Sequence, residues 1–119
     1  MILFNVTRSV ALAGRAELAE RARDRMRGLL GRDTLPEGQA LVIRPCTSIH
    51  TFFMRFPIDV LFLDQQHRVL RAIPRMRPWR LTRIYPRASC VAELWAGAIE
   101  RSGTSEGDEV RLEIEPAVV

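Results

Sequence analysis

Hydrophobic and polar positions alternate most regularly near the C-terminus. Across residues 109–115, Val110, Leu112 and Ile114 fall on one side of an extended chain. Glu109, Arg111, Glu113 and Glu115 fall on the other, which predicts a half-buried strand. The continuous apolar run at 40–43 predicts a buried strand; 49–56 and, after Pro57, 58–63 also read as strands, and 69–73 can return beside the last across a polar turn at 64–67. Residues 2–6 and 90–95 read as further strands; 11–19 is ambiguous but can pair with the first. Between them the period changes. Leu18, Ala22, Met26, Leu29 and Leu30 recur at helical spacing, predicting one main helix from about Glu20 with Gly31 as its stop. Residues 33–38 and 105–108 have turn chemistry, 96–102 allows one helical turn, and the Pro/Arg-rich stretch 74–88 reads as a long surface loop. Strands outnumber helices without a βαβ rhythm. The expectation is an α+β fold: a mostly antiparallel, barrel-like sheet with one main helix packed on it, residues 1–119 forming a single domain.

Composition narrows the class. A chain of 119 residues with 47% hydrophobic and 27% charged residues is a globular sequence of one-domain size. No apolar run approaches the ~18 residues of a membrane span, so integral membrane association is not expected. Cys46 and Cys90 give neither a disulfide framework nor a paired-cysteine zinc site. The first residues lack a basic start and a long apolar stretch, so the expected location is cytoplasmic.

Charge adds one anomaly. All the basic residues are arginine, and they are unevenly spread. Residues 41–90 carry nine arginines against two acids, whereas residues 91–119 carry two against seven. No acid lies between Asp64 and Glu93, yet Arg68, Arg71, Arg75, Arg77, Arg80, Arg83 and Arg87 do. This stripe either attracts an anionic partner, small molecule or nucleic acid, or pairs with the acidic C-terminal segment of the same chain.

Candidate chemistry is densest at 46–64. If residues 46–54 are extended, Cys46, Ser48, His50, Phe52 and Met54 share one face and Thr47, Ile49, Thr51 and Phe53 the other, as in a central strand. His50 with Asp59 would be an orienting pair for a general base, and Cys46 a nucleophile. On a strand, however, Cys46 and His50 stand some 13 Å apart at ~3.3 Å per residue, which counts against a dyad. His67 falls in a turn, and His50, Cys46, Asp59 and Cys90 show no metal-ligand spacing, so no metal is expected. No phosphate-binding glycine loop, dinucleotide fingerprint or nucleophile elbow is present, and no cofactor is expected. Trp79 and Arg80, with Tyr85 nearby, make a candidate stacking or anion-clamping surface.

In order along the chain, RGLLGR (27–32), IHTFFMRFPIDVLFLD (49–64), RPW (77–79), ELWAG (93–97) and GD (107–108) resemble the prokaryotic family known as domain of unknown function 192. The resemblance spans about residues 16–113. It implies a compact β-rich domain and no established activity, cofactor or partner. Many relatives carry Trp-Met-Lys-Asn where this chain has Phe53-Met54-Arg55-Phe56, and the form here resembles a subgroup with Cys46 and His50. A histidine absent from much of the family is a poor shared catalytic base. Matching polar positions are His50, Thr51, Met54, Asp59 and Glu93, with Arg27 at the helix end. The expected function is a non-catalytic binding module for an anionic small ligand or a protein partner, using those residues with Trp79 and Arg80. The alternatives are a small hydrolase or transferase using His50 and Asp59, and an RNA-associated basic protein.

Overall fold

The computed structural model describes residues 1–114. Its elements run β1 (Ile2–Asn5), β2 (Val10–Ala13), β3 (Arg15–Ala19), α1 (Ala22–Arg27), β4 (Gln39–Ile43), β5 (Ile58–Leu63), β6 (Val69–Met76), β7 (Cys90–Trp95), α2 (Ala98–Ser102) and β8 (Val110–Glu113). They form an α+β fold with a three-stranded sheet, β2-β1-β8, and a five-stranded sheet, β3-β4-β7-β5-β6. Pairing is antiparallel except between β3 and β4. The two sheets do not close on one another through strand pairing among the described residues.

The apolar runs at β5 and β7 explain why those strands occupy the middle of the larger sheet. Both faces of each are covered, so no polar-out alternation is required. Successive residues feed two different layers. Val42, Leu61, Leu63, Ala92 and Leu94 pack with Leu3, Leu12 and Val110 beneath the smaller sheet. Leu41, Ile43, Val60, Phe62 and Val91 pack with Leu29, Leu35, Ile49 and Met54, which lie in connecting segments rather than in a second sheet. One face of the large sheet is therefore roofed by coil, and that roof is where a cleft can open.

Three local expectations change. The main helix shrinks to six residues, because Leu18 belongs to β3 and Gly28 at φ +49° ends the helix before Gly31. Met26, placed on the apolar face by its spacing, is 80% exposed. Residues 46–54 are not a central strand. They run as a loop beside 79–89, joined by the isolated bridge His50–Leu81 and by bonds such as Thr82 N–H to Ile49 C=O (3.0 Å) and Tyr85 N–H to Thr47 C=O (2.8 Å). Finally β6 continues through Pro74 to Met76. It is an edge strand with a register shift, where a missing N–H is tolerated. Glu115, the last residue of the alternating C-terminal pattern, lies outside the described residues; within them the strand stops at Glu113.

The arginine stripe is partly neutralised by the chain's own acids. Arg68 faces Glu109 (3.8 Å), Arg71 faces Glu106 (3.4 Å) and Arg75 faces Glu100 (3.6 Å). These are exposed pairs whose stabilisation is small. Their consequence is electrostatic: of the stripe, Arg77, Arg80, Arg83 and Arg87 have no ion-pair partner among the described residues.

Candidate functional site

A cleft of about 380 Å³ opens in the coil-covered layer. Its walls come from α1 and the turn after it (Met26, Arg27, Gly28, Leu29, Leu30), from the end of β4 (Ile43) and from the loop bearing Cys46, Ser48, Ile49, His50 and Met54. Glu93 of β7 completes the lining from the sheet side.

Glu93 is the polar residue that most needs explanation. It sits on a strand whose other residues are apolar, and it shares a face with Val91 and with its cross-strand partner Val60. It is 3% exposed, and its Oε1 has no hydrogen-bond partner. Burial pushes its carboxyl up to about 7, against a smaller opposing pull from Arg32. Such a group holds its proton below neutrality and loses it just above, so it can donate or accept. Gly28 lies directly across from it: a Cβ there would sit 3.7 Å from Glu93 Oε1, and the glycine's φ of +49° disfavours any side chain. A second buried polar atom without a partner, Arg25 Nε, belongs to the same cleft. Arg25 Nη1 donates to Pro45 C=O at 3.2 Å, which fixes the guanidinium near the rim.

Cys46 lines the cleft with its Sγ 3.1 Å from the Ser48 carbonyl oxygen, to which it donates. Burial raises the thiol above its ordinary value, so little thiolate is present at neutral pH. That is the wrong direction for a nucleophile. His50 lies at the exposed mouth, where its Nδ1 accepts from Phe52 N–H (3.2 Å) and its ring stacks on Phe52 at 4.9 Å.

The structure thus brings together Arg27, Cys46, His50, Met54 and Glu93 from the residues expected to matter, and it separates the others. Asp59 is fully buried on the opposite face of the sheet, opposite Leu94 in register. Its Oδ1 accepts from Arg75 N–H and its Oδ2 from Ile99 N–H, both at 2.8 Å, so it caps the start of α2 and ties it to β6. No hydrogen bond joins it to His50, and the expected general-base pair is not formed. Thr51 is also fully buried. Its hydroxyl donates to Arg77 C=O (2.6 Å) and accepts from Arg80 N–H (2.9 Å), pinning the 77–80 turn. Trp79 and Arg80 are exposed on that turn and do not line the cleft. Among the described residues no three His, Cys, Asp or Glu side chains gather as a metal site would require.

Sequence reasoning missed Arg25, Leu29, Leu30, Ile43 and Ile49 as wall residues. It reached Glu93 only through the family resemblance. The available signal was a lone carboxylate in the apolar run CVAELW, at a position whose neighbours two residues away face a buried layer.

Comparison with known proteins follows the same outline. Residues 4–112 match a family described as "Uncharacterized ACR". A UPF0127 protein of Thermococcus sibiricus is 32% identical over 118 residues, covering 96% of this chain and 76% of that protein. A UPF0127 protein of Pyrococcus horikoshii is 29% identical, covering 92% and 97% respectively. A crystal structure of a protein of unknown function from Novosphingobium aromaticivorans superposes with a TM-score of 0.81 at 20% identity, over 93% of this chain and 83% of that one. The likeness in shape supports the fold.

Proposed function

Because the chain belongs to the uncharacterized family known as domain of unknown function 192, we propose its role from the cleft itself: a binding module for a small molecule with an apolar body and a hydrogen-bond-donating head that reaches Glu93. The observation that carries this reading is the unpartnered, buried Glu93 Oε1 in an otherwise largely apolar lining. Leaving a buried acceptor unpaired costs about 1–3 kcal/mol, which a ligand donor such as an amine recovers. Arg25 Nε, also unpartnered, suits an acceptor on the same molecule. This shifts the expected ligand chemistry. An anion fits the arginine side of the cleft, but the deeper group is a carboxyl and favours a donor. The volume is at the small end of ligand pockets, enough for a metabolite-sized body.

Catalysis by His50 and Asp59 has no support in the geometry, since the two lie on different sides of the sheet and both Asp59 oxygens are occupied. A thermal-shift panel tests the binding reading: primary amines on apolar bodies against matched carboxylates at pH 8, with wild type and Glu93→Gln. A ligand at 100 times its dissociation constant adds about 2.7 kcal/mol. The reading expects amines to stabilise the wild type and to lose that effect in the variant. Equal shifts from the carboxylates, or no shift from any amine, would overturn it.

A further inference from the structure

Outside the cleft, two loops meet in an exposed apolar tip. Phe53 is 71% exposed, Trp79 56%, Leu81 68% and Ile84 67%. The Phe53 and Trp79 rings lie 4.6 Å apart, and both residues hold left-handed backbone, φ +65° and +64°. Aromatic side chains rarely adopt that conformation without surrounding structure to impose it. Here the imposing structure is Thr51. Its N–H donates to Arg80 C=O (2.8 Å), its carbonyl accepts from Trp79 N–H (2.9 Å), and its hydroxyl bonds both strands of the turn. Strained backbone is thus held in place to present two aromatic rings to solvent.

The loops that form the tip carry charge of one sign, and the acid beside them, Asp33 from the turn after α1, is paired with Arg55. Residues 44–58 and 65–92 contain no acid. Arg77, Arg80 and Arg83 have no ion-pair partner among the described residues, whereas Arg68, Arg71 and Arg75, further back, do.

We propose that this tip docks on an anionic lipid surface, with Phe53, Trp79 and Leu81 entering the interface and Arg77, Arg80 and Arg83 meeting headgroup phosphates. Amphipathic aromatic rings and arginines together are what the boundary between headgroups and acyl chains accommodates. Anionic lipid supplies the complementary charge. Nucleic acid fits less well. The two rings are turned on each other at 58° rather than laid out as a platform, and aliphatic Leu81 and Ile84 offer no stacking face. The contact is made by exposed side chains of the two loops; among the described residues no helix is long and apolar enough to cross a membrane. His50, which stacks on Phe52 and bridges to Leu81, places the mouth of the cleft beside the docked tip.

The test is co-sedimentation with vesicles of phosphatidylcholine alone and with a phosphatidylglycerol fraction, alongside tryptophan emission. Expected results are binding to anionic vesicles only, with a blue shift that Trp79→Phe abolishes. Phe53→Ser with Trp79→Ser should weaken binding at least about tenfold, and each of Arg77→Gln, Arg80→Gln and Arg83→Gln about fivefold. All five positions are exposed, and an unchanged melting temperature confirms that the variants fold. Absence of binding to anionic vesicles at low salt overturns the proposal. So does binding that survives the double serine variant, which would be adhesion by net charge alone. Tighter binding to a single-stranded RNA oligomer than to anionic vesicles at the same salt overturns it in favour of a nucleic-acid partner.

Discussion

Replacing Glu93 by glutamine removes the titration of one buried group while keeping its shape. In the folded chain the carboxyl is raised from the ordinary 4.5 to about 7, chiefly by burial. The unfolded chain therefore releases this proton near 4.5, while the folded chain holds it until about 7. Stability from this group is complete below 4.5, falls as pH rises through the interval, and is flat above 7. At about 1.4 kcal/mol per pH unit, the loss comes to roughly 3 kcal/mol between pH 4.5 and 8. Urea unfolding of wild type and Glu93→Gln at half-unit steps reads it directly. The glutamine carries its own burial cost, so the absolute difference at one pH decides little. What matters is the change in the difference, in which every other titrating group cancels. The variant should gain roughly 3 kcal/mol on the wild type from pH 4.5 to 8. A difference that stays constant within about 0.5 kcal/mol would show that Glu93 ionises normally, and the reasoning from its burial would fail.

Three further outcomes follow from the same geometry. Asp59→Ala strips two backbone donors of their buried acceptor and should cost about 3 kcal/mol or more in chemical unfolding, whereas His50→Ala at the exposed mouth should stay within about 0.5 kcal/mol; similar costs for the two would contradict the assignment of Asp59 as structural. Thr51→Val should speed amide exchange at Trp79 and Arg80 while leaving the β5–β7 core protected, and uniform loosening would count against its role as a local pin. Cys46, with its thiol raised by burial, should alkylate more slowly than glutathione at pH 7.5; faster reaction would reopen the nucleophile reading.

Most of the strands were legible because their burial is written in the period of apolar residues. The runs at 40–43, 58–63 and 90–95 became the inner strands β4, β5 and β7, and 110–113 kept its alternation. Val60 pairs with Glu93 and Asp59 with Leu94, so one acid faces the coil-covered layer and the other the smaller sheet. That separation depends on the register between β5 and β7, which are distant in sequence and whose pairing no local pattern reports. Residues 46–54 misled for a different reason. Their apolar content suits a strand, but the backbone finds its partners in the 79–89 loop, and a local turn closed by Met54 N–H to Thr51 C=O (3.2 Å) carries Phe53 with left-handed backbone. Helical spacing at 18–30 was likewise genuine hydrophobic content distributed over β3, a six-residue helix and a turn. The arginine stripe left a choice between a partner and self-pairing; its first three arginines pair within the chain, and those from Arg77 onward have no ion-pair partner among the described residues.

The central claim is that Glu93 is the polar anchor of a ligand-binding cleft, and carbon-13 titration of its side-chain carboxyl tests this most directly. In the protein alone the midpoint should lie near 7. With a saturating amine from the stabilising set, it should fall, because a bound cation favours the carboxylate. A midpoint in the ordinary carboxylate range, or one that an amine stabilising the protein leaves unmoved, would contradict the account.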